Sequence, residues 1–557
     1  KMLFEQEFRI SNPLLWDIES PHLYKAVTKV YIDNVLKDQY ITRFGCRSLR
    51  FDADKGFFLN EKPVKLQGVC MHHDLGPLGA AVNFRATERQ MEMMKEMGVN
   101  AIRTSHNPPS PELLQICDSM GLLVQVEAFD EWKYGKNANG YHVYFEKWAE
   151  KDLRNMIRRD RNHPSVIMWS IGNEIREQNK GEEGKEIARF LAEICRDEDP
   201  TRPVTAGFNN HTSSIKNGLA DVVDLVGFNY KPYDYKNKKD ENPHYIIYGS
   251  ETASTVSSRG EYKFPVKEVK SPWYQDYHVS SYDMEYPRWA STPDTEFEMQ
   301  DDNAFVLGEF VWTGFDYLGE PTPYNEGTPA RSSYFGIVDL AGLKKDRFYL
   351  YQSKWSNTPV LHLLPHWNWP ERVGQSVPVY CYTNYPKAEL FVNGKSMGVK
   401  EKDKSNKYTR YRLMWDNVIY QPGEIKVVAY NEANNPLAQQ VIKTSGEPKT
   451  FKLTADRETI KAGGKDLSYI TIEVLDENGN LCPRAANLMF VEVKGPGKLI
   501  ALCNGDPTDH TSFASNYMRA FNGKLVATIE SGEEPGELEL VVSGGLLKNE
   551  SLKIVIE

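Results

Sequence analysis

The sequence lacks both a long apolar run and a concentration of positive charge. A membrane-spanning helix needs about 18 or more consecutive apolar residues. No run in this chain of 557 residues approaches that length, so we expect no transmembrane segment. The formal net charge is −10 at pH 7, whereas proteins that bind nucleic acids carry a basic face. The basic run 236–239 is followed at once by Asp240 and Glu241, as in a solvated loop. A nucleic-acid partner is therefore not expected.

Cysteine is scarce, and its seven residues are scattered along the chain. An odd number, with no Cys-x-x-Cys pair and no ligand-like spacing with histidine, supports neither a disulfide framework nor a zinc site. Free, buried thiols are the simpler expectation. The chain begins at Lys1 with strand-like sequence rather than a secretory signal. We interpret it as a mature or truncated form whose compartment the residues themselves do not encode.

Residues 51–357 repeat a pattern of strand followed by helix. Thr87 and Gly98 are the predicted caps of one helix, and Ser110 and Gly121 those of the next. The candidate strands are 65–70, 99–104, 122–128, 166–171, 203–208, 223–229, 245–250 and 305–313. Eight strands in about 300 residues predict a (β/α)₈ barrel. A doubly wound open sheet is the alternative, but no Gly-x-Gly-x-x-Gly follows the first strand and polar residues follow several strands.

The regions on either side of the predicted barrel have a different pattern. Residues 1–50 alternate apolar and polar in short runs, which predicts the C-terminal part of an immunoglobulin-like β-sandwich. Beyond the barrel, alternating strands with turn signals such as Asn393-Gly394 predict two further β-sandwiches, at 358–447 and 448–557, the second immunoglobulin-like. The chain is therefore predicted to be multidomain, with a central barrel flanked by sandwiches.

Two of the predicted strands begin with apolar runs that are followed within five residues by a glutamate. The run 166–169 leads to Glu174, and the run 245–248 leads to Glu251. Carboxyl ends of barrel strands meet at one rim, and retaining glycoside hydrolysis needs two carboxylates about 5 to 5.5 Å apart, one as acid/base and one as nucleophile. We therefore predict that these two glutamates form a catalytic pair. Glu309, in the eighth predicted strand, is the rival nucleophile.

Other residues at the strand ends suit a sugar. A pyranose needs polar groups for its hydroxyls and an aromatic ring for its apolar face, and histidine, asparagine, tyrosine and tryptophan recur at these positions. Arg103 is a candidate for keeping the nucleophile ionised. Asn173 can hydrogen-bond the 2-hydroxyl of the sugar, a contact that strengthens in the transition state.

Taken together, these motifs resemble glycoside hydrolase family 2, and in particular the β-galactosidases of that family in gut Bacteroidetes. The resemblance rests on motifs at or before strands two, four, seven and eight and on two stretches after strand eight: Arg103–Pro108, Asp160–Ser165, Asn173-Glu174, Ser250-Glu251, Phe310–Trp312, Phe335–Asp339 and Lys345–Tyr349. It covers the whole predicted barrel. It implies a carbohydrate substrate and a periplasmic or secreted location, and leaves homo-oligomerisation open.

The resemblance also implies roles for individual residues. Glu174 would be the acid/base and Glu251 the nucleophile. The positions at which the family contacts the sugar are His72, His106, Tyr230 and Trp312. His73 competes with its neighbour for the first of these positions, and each of the four could instead be an ordinary packed side chain.

The sequence also departs from the family pattern. An N-terminal jelly-roll domain and most of an immunoglobulin-like domain are missing from this chain. Relatives that hold magnesium beside the acid/base have Glu-Thr-His after strand three, where this chain has Glu131-Trp132-Lys133. We therefore expect no metal and no other cofactor.

The function predicted from these features is a retaining exo-β-glycosidase, with β-galactosidase the favoured activity on terminal β-galactosides. β-Glucuronidase or another family 2 β-glycosidase is the nearest alternative, but the Asn-x-Lys motif that clamps a uronate is absent from 318–347. A non-hydrolytic carbohydrate-binding surface protein is the alternative from a different class.

Overall fold

The computed structural model describes residues 5–324 and 329–557. Within it, the chain divides into two compact units. One extends to Gly68 and includes Asn100–Ser250 and Asn303–Glu309, and the other comprises Val69–Val99, Glu251–Asp302 and everything from Phe310. No helix in the described ranges has the length and apolar character that crossing a lipid bilayer requires.

Eight parallel strands close into a barrel and follow one another around it in chain order. In that order they are β1 (Leu66–Met71), β2 (Ala101–Thr104), β3 (Leu123–Glu127), β4 (Val166–Asn173), β5 (Val204–Phe208), β6 (Leu225–Asn229), β7 (Ile247–Thr252) and β8 (Gly308–Val311). Every residue of β2 to β8 is buried, which is why these strands read as continuous apolar runs rather than alternating ones. The barrel prediction is confirmed, and the doubly wound sheet is excluded.

An α-helix follows each barrel strand. The helices are α1 (Phe84–Met97), α2 (Pro111–Met120), α3 (His142–Asp160), α4 (Glu182–Glu198), α5 (His211–Lys216), α6 (Tyr235–Glu241), α7 (Pro293–Asp302) and α8 (Asp346–Trp355). The predicted caps of α2 are confirmed: Ser110 accepts a hydrogen bond from the amide of Leu113, and Gly121 ends the helix with φ of 71°.

The predicted start of α1 was wrong by four residues. The helix begins at Phe84, and its cap is Asn83, whose side chain accepts a hydrogen bond from the amide of Ala86. Asparagine caps at least as well as threonine, so the earlier of two good capping residues was chosen. Thr87 lies inside the helix, and its hydroxyl donates back to the carbonyl of Asn83. The C-terminal cap at Gly98 is confirmed.

The remaining strands lie outside the barrel. Before β1 there is a hairpin and a three-stranded sheet: Tyr24–Ile32 with Val35–Phe44, then Leu49–Asp52, Gly56–Leu59 and Lys62–Val64. A short parallel pair, Val269–Lys270 and Glu285–Tyr286, lies between β7 and α7. After Trp355 the described residues contain no α-helix, in agreement with the all-β prediction.

Two β-sandwiches follow the barrel. The first packs a three-stranded sheet (Leu361–Leu364, Val379–Thr383, Arg412–Trp415) with a four-stranded sheet (Lys387–Val392, Lys395–Glu401, Glu424–Tyr430, Pro436–Lys443). The second packs a four-stranded sheet (Thr450–Ala455, Leu467–Leu475, Gly497–Cys503, Lys524–Ser531) with a five-stranded sheet (Thr459–Ile460, Leu488–Lys494, Tyr517–Arg519, Gly536–Ser543, Glu550–Ile556). Each sandwich buries its own apolar core, one around Trp367 and Cys381 and one around Ile470 and Cys482. All seven cysteines are free thiols, six of them buried.

Closure of the barrel leaves no room for a side chain at Gly308. This residue begins β8 with φ of 140°, and a Cβ atom there would overlap the backbone of Leu66 in β1. We expect Gly308→Ala to lower the free energy of unfolding by about 2 to 3 kcal/mol, because neither backbone can move without loss of barrel hydrogen bonds. The thermal midpoint measures the effect.

Gly446→Ala is the matched control for this substitution. The nearest atoms to a Cβ at Gly446 belong to Asp476, at 3.8 Å, which is an ordinary contact distance. A midpoint unchanged in Gly308→Ala, or lowered equally in both variants, would contradict the prediction.

Candidate active site

The parallel barrel places the carboxyl ends of its strands on one rim, which is where barrel enzymes carry their catalytic groups. Several polar residues, some of them singled out in the sequence, lie in or directly after these strands. Arg103 lies in β2, Glu127 ends β3, Asn173 ends β4, Asn229 ends β6 and Glu251 lies in β7. Glu174 is the first residue after β4.

A buried ion pair joins β2 to β3. Arg103 and Glu127 are both fully buried, and Nη2 of the arginine lies 2.9 Å from Oε2 of the glutamate. The same guanidinium donates to the carbonyl oxygen of Ser250 at 2.8 Å and to Oδ1 of Asn173 at 2.9 Å. Arg103 therefore connects four strands, and it contacts the residue directly before Glu251.

Glu127 is held as an anion. Burial alone would raise its pKa, but the charge of Arg103 and the hydrogen bond from His106 outweigh this and lower the pKa of Glu127 to about 2. His106 Nδ1 lies 2.6 Å from Oε1 of Glu127, and the Ser170 hydroxyl donates to Oε2 at 2.7 Å. Since a carboxylate can only accept, Nδ1 carries the histidine proton, and Nε2 is left as the acceptor.

The side-chain amide of Asn173 is held on both sides. Its Oδ1 accepts from Arg103 and, at 3.2 Å, from Nδ2 of Asn229. Its Nδ2 donates to Oδ1 of Asp130 at 3.1 Å and lies 3.3 Å from Nε2 of His106. The amide orientation and the histidine tautomer are thus mutually consistent, and the group is positioned before any ligand arrives.

Glu174 is presented by an unusual backbone conformation. Its φ is 43°, in the left-handed region that non-glycine residues occupy mainly at turns and functional sites. Its amide donates to the carbonyl of Gly207 at 2.9 Å. The partly exposed carboxylate accepts from Nδ2 of Asn229 and from Nδ2 of Asn209, each at 2.9 Å. The carboxylate is therefore directed towards β5 and β6, whose ends supply these two amides.

A loop after β3 braces Asn173 from the other side. Lys136 Nζ donates to Oδ1 of Asp130 at 2.7 Å and to the carbonyl oxygen of Asn173 at 3.0 Å. The loop itself closes on the Glu131 carboxylate, which accepts from the amides of Lys136 and His142. Both carboxylate oxygens of Glu131 thus accept hydrogen bonds that stabilise the loop.

In the second unit, three aromatic side chains pack together after β1 and β8. The ring of His72 lies 4.1 Å from that of Tyr317 and 5.3 Å from that of Trp312, the latter edge to face. The Tyr317 hydroxyl donates to Glu320. Burial and the negative charges of Glu320 and Glu251 raise the pKa of Tyr317 well above its usual value, so this phenol stays neutral within electrostatic reach of Glu251.

The structure thus places the predicted site residues in two groups. Arg103, His106, Asn173 and Glu174 belong to one hydrogen-bonded network in the first unit, and His72 and Trp312 share an aromatic cluster in the second. Tyr230 directly follows β6, is partly exposed and has φ of 58°. Glu251 and the rival Glu309 are both buried within their strands, each 3% exposed.

Several members of these networks were not predicted as site residues. Glu127 could have been found, because a buried arginine needs a counter-charge and this glutamate ends the next strand. Asn229 and Asn209 also stand at or directly after strand ends, the level at which the other site residues were sought. Asp130, Lys136 and Tyr317 lie on loops. Their contacts depend on the loop conformation, which the sequence pattern does not predict.

Models of known protein families match most of the chain. The TIM barrel domain of glycosyl hydrolases family 2 matches residues 52–325, and a second family 2 model matches residues 1–47. The family 2 C-terminal domain 5 matches residues 451–553, and a domain of unknown function matches residues 374–438.

Individual proteins match most or all of the chain. The β-galactosidase BoGH2A of Bacteroides ovatus is 44% identical over 596 aligned positions, which cover 100% of this chain and 69% of that protein. A β-glucuronidase of Bacteroides fragilis is 28% identical and covers 78% of this chain and 61% of its own length. Among solved structures, a β-glycosidase from Bacteroides vulgatus superposes with a TM-score of 0.88 at 34% identity, covering 98% of this chain and 71% of that one.

A family 2 member from Bacteroides cellulosilyticus superposes with a TM-score of 0.86 at 33% identity, covering 98% of this chain and 69% of that one. Proteins of one family thus match the barrel, the sandwiches and nearly the whole length of the chain. This chain belongs to glycoside hydrolase family 2.

Proposed function

We propose that this chain is a retaining exo-β-galactosidase that hydrolyses terminal β-galactosides through a covalent glycosyl-enzyme. The observation that carries the proposal is the placement of Glu174 and Glu251 at the carboxyl ends of β4 and β7 of one closed parallel barrel. Retaining hydrolysis requires one carboxylic acid and one carboxylate, and two glutamates at this level supply both.

The reaction proceeds in two displacements. Glu174 protonates the glycosidic oxygen while Glu251 attacks the anomeric carbon, which breaks the bond to the leaving group and forms an ester with the sugar. Glu174, now ionised, then removes a proton from water. The resulting hydroxide attacks the same carbon, releases Glu251 and leaves the sugar with its β configuration.

The electrostatics support this division of roles. With its pKa lowered to about 2, Glu127 is ionised throughout the neutral range and cannot be the proton donor. Glu174 is partly exposed, and its carboxylate accepts hydrogen bonds from the side-chain amides of Asn209 and Asn229. When ionised, it accepts from both amides, which suits its role as base in the second step.

The choice of galactoside over glucuronide rests on the cations available after β8. A uronate carboxylate needs a cationic partner when it is desolvated. In the described part of 318–347, Lys344 pairs with Glu96 and Lys345 with Asp316. The two arginines of this region, Arg331 and Arg347, donate to backbone carbonyl oxygens. The two lysines are thus already paired with carboxylates, and the relative with 44% identity is a β-galactosidase.

Substrate preference is the first test of this proposal. We expect kcat/KM for 4-nitrophenyl β-galactoside to exceed that for the corresponding glucuronide by at least about 100-fold, which corresponds to about 2.7 kcal/mol. A higher rate on the glucuronide would contradict the galactosidase assignment and leave the retaining mechanism intact. Binding of either glycoside without hydrolysis would contradict the hydrolase itself.

The nucleophile is tested by substitution and by trapping. We expect Glu251→Gln to lower kcat by about 10³-fold or more, since an amide cannot form the glycosyl ester, while its thermal midpoint stays close to that of the parent. Incubation with a 2-deoxy-2-fluorogalactoside should label the peptide that contains Glu251. Label on the peptide containing Glu309, with full activity in Glu251→Gln, would move the nucleophile to Glu309.

The ionised state of Glu127 predicts a pH-dependent loss of stability in Glu127→Gln. Removal of this carboxylate leaves Arg103 as an uncompensated buried charge, which costs about 3 to 5 kcal/mol at neutral pH. Because the folded pKa is depressed, the stability from this carboxylate is present above the unfolded pKa of about 4.3 and is lost as the pH falls towards 2.

Thermal midpoints measured between pH 7 and pH 3 check this expectation. The difference in thermal midpoint between the parent and Glu127→Gln should be largest at pH 7 and should shrink on acidification. The exposed control Glu193→Gln should match the parent in free energy of unfolding within about 0.5 kcal/mol. A difference that is constant with pH would show that the Glu127 carboxylate is not ionised in the folded protein.

A further inference from the structure

The two side-chain amides that face the Glu174 carboxylate are themselves held by further side chains. Nδ2 of Asn229 donates to one carboxylate oxygen and Nδ2 of Asn209 donates to the other, each at 2.9 Å. The oxygen of each amide accepts a hydrogen bond from a different residue. All the residues concerned belong to the first unit, so the arrangement can be described within that unit alone.

Ser250 holds the amide of Asn229. Its hydroxyl donates to Oδ1 of Asn229 at 2.6 Å, and both residues are completely buried. The hydroxyl is closely enclosed, since a Cβ atom added at Gly227 would lie 2.6 Å from it. Ser250 lies in β7, directly before Glu251. A residue of the strand that carries the proposed nucleophile therefore orients an amide that contacts the proposed acid/base.

Gln178 holds the amide of Asn209. It lies in the short 3₁₀ helix Arg176–Asn179 after β4 and is 1% exposed. Its Nε2 donates to Oδ1 of Asn209 at 2.9 Å and to the carbonyl oxygen of Ile175 at 2.8 Å. Its Oε1 accepts from the backbone amide of Asn210 at 3.0 Å. Both ends of the Gln178 side-chain amide are thus bonded, and its own orientation is fixed.

The orientation of the two asparagine amides matters most when Glu174 carries a proton. An ionised carboxylate only accepts hydrogen bonds, so it favours amide N–H groups turned towards it. A protonated carboxyl also has an O–H donor, and an amide that turned over would offer an oxygen to this donor. The proton would then be bound by the protein, whereas general acid catalysis requires it to reach the glycosidic oxygen.

We propose that Ser250 and Gln178 are positioning residues that keep the proton of Glu174 available to the substrate. Each donates to one asparagine amide oxygen, so both amides present N–H to the carboxyl group, and an N–H group cannot accept the proton. The two residues act through Asn229 and Asn209 rather than on the sugar. This inference rests on the proposed function, in which Glu174 is the acid/base.

Ser250→Ala removes the hydroxyl and allows the Asn229 amide to turn over. The leaving group of methyl β-galactoside needs protonation, and we expect kcat/KM for this substrate to fall by about tenfold. The loss is smaller than the full 10²- to 10⁴-fold contribution of general acid–base catalysis, because the 3.2 Å contact of Asn229 with Asn173 still opposes the turn. The leaving group of 2,4-dinitrophenyl β-galactoside departs without a proton, so its kcat/KM should stay within about twofold.

Thr205→Val is the matched control for this substitution. Thr205 is a completely buried residue of β5. Its hydroxyl contacts the carbonyl oxygen of Leu225 and the hydroxyl of Tyr248, each at 2.9 Å. The control variant therefore also loses one buried hydroxyl inside the barrel, but one that contacts neither asparagine amide. The ratio of its kcat/KM values for the two galactosides should equal that of the parent.

Gln178→Met tests the second amide and guards against misfolding of the first variant. Methionine keeps the length of the side chain without its donor, and the variant should likewise slow methyl β-galactoside selectively. The inference is overturned if neither variant slows the methyl galactoside more than the dinitrophenyl galactoside, since a purely structural role would affect both substrates equally. If the parent hydrolyses neither galactoside, the proposed function itself fails, and the two failures are thus distinguishable.

Discussion

The buried ion pair between Arg103 and Glu127 is the interaction on which the candidate site depends. Two fully desolvated charges are tolerated only when their remaining donors and acceptors are satisfied. Here the partners that satisfy them are the site residues themselves, because the spare donors of Arg103 go to Ser250 and Asn173 and the spare acceptors of Glu127 to His106 and Ser170. The requirement to neutralise one buried guanidinium therefore fixes the geometry of several strand ends at once.

Much of the fold could be predicted because the barrel strands are buried on both faces. Continuous apolar runs such as 166–169, each followed by polar residues, predicted all eight strands. They also predicted that Asn173 and Glu174 lie at the carboxyl end of a strand. The start of α1 was missed because Asn83 and Thr87 are both good caps, and local preference does not choose between them. Family motifs, rather than periodicity, supplied the roles of the two glutamates.

The parts that could not be predicted are set by loops. Lys136 reaches the Asn173 carbonyl only because its loop closes on the Glu131 carboxylate, and no spacing rule encodes that closure. The pairing of Tyr317 with His72 likewise depends on the path of the chain after β8. The positions of side chains on strands can therefore be predicted from the sequence, whereas the positions of side chains on loops cannot.

The cysteines have a consequence for how the protein can be made and handled. All seven are free, and six are enclosed in the interior, so the fold contains no covalent cross-link that an oxidant must form or a reductant could break. Burial raises the pKa of Cys381 and of Cys503 to about 12, which keeps these sulfurs protonated and unreactive as nucleophiles at neutral pH. Formation and persistence of the native state should consequently require neither an oxidant nor a reductant.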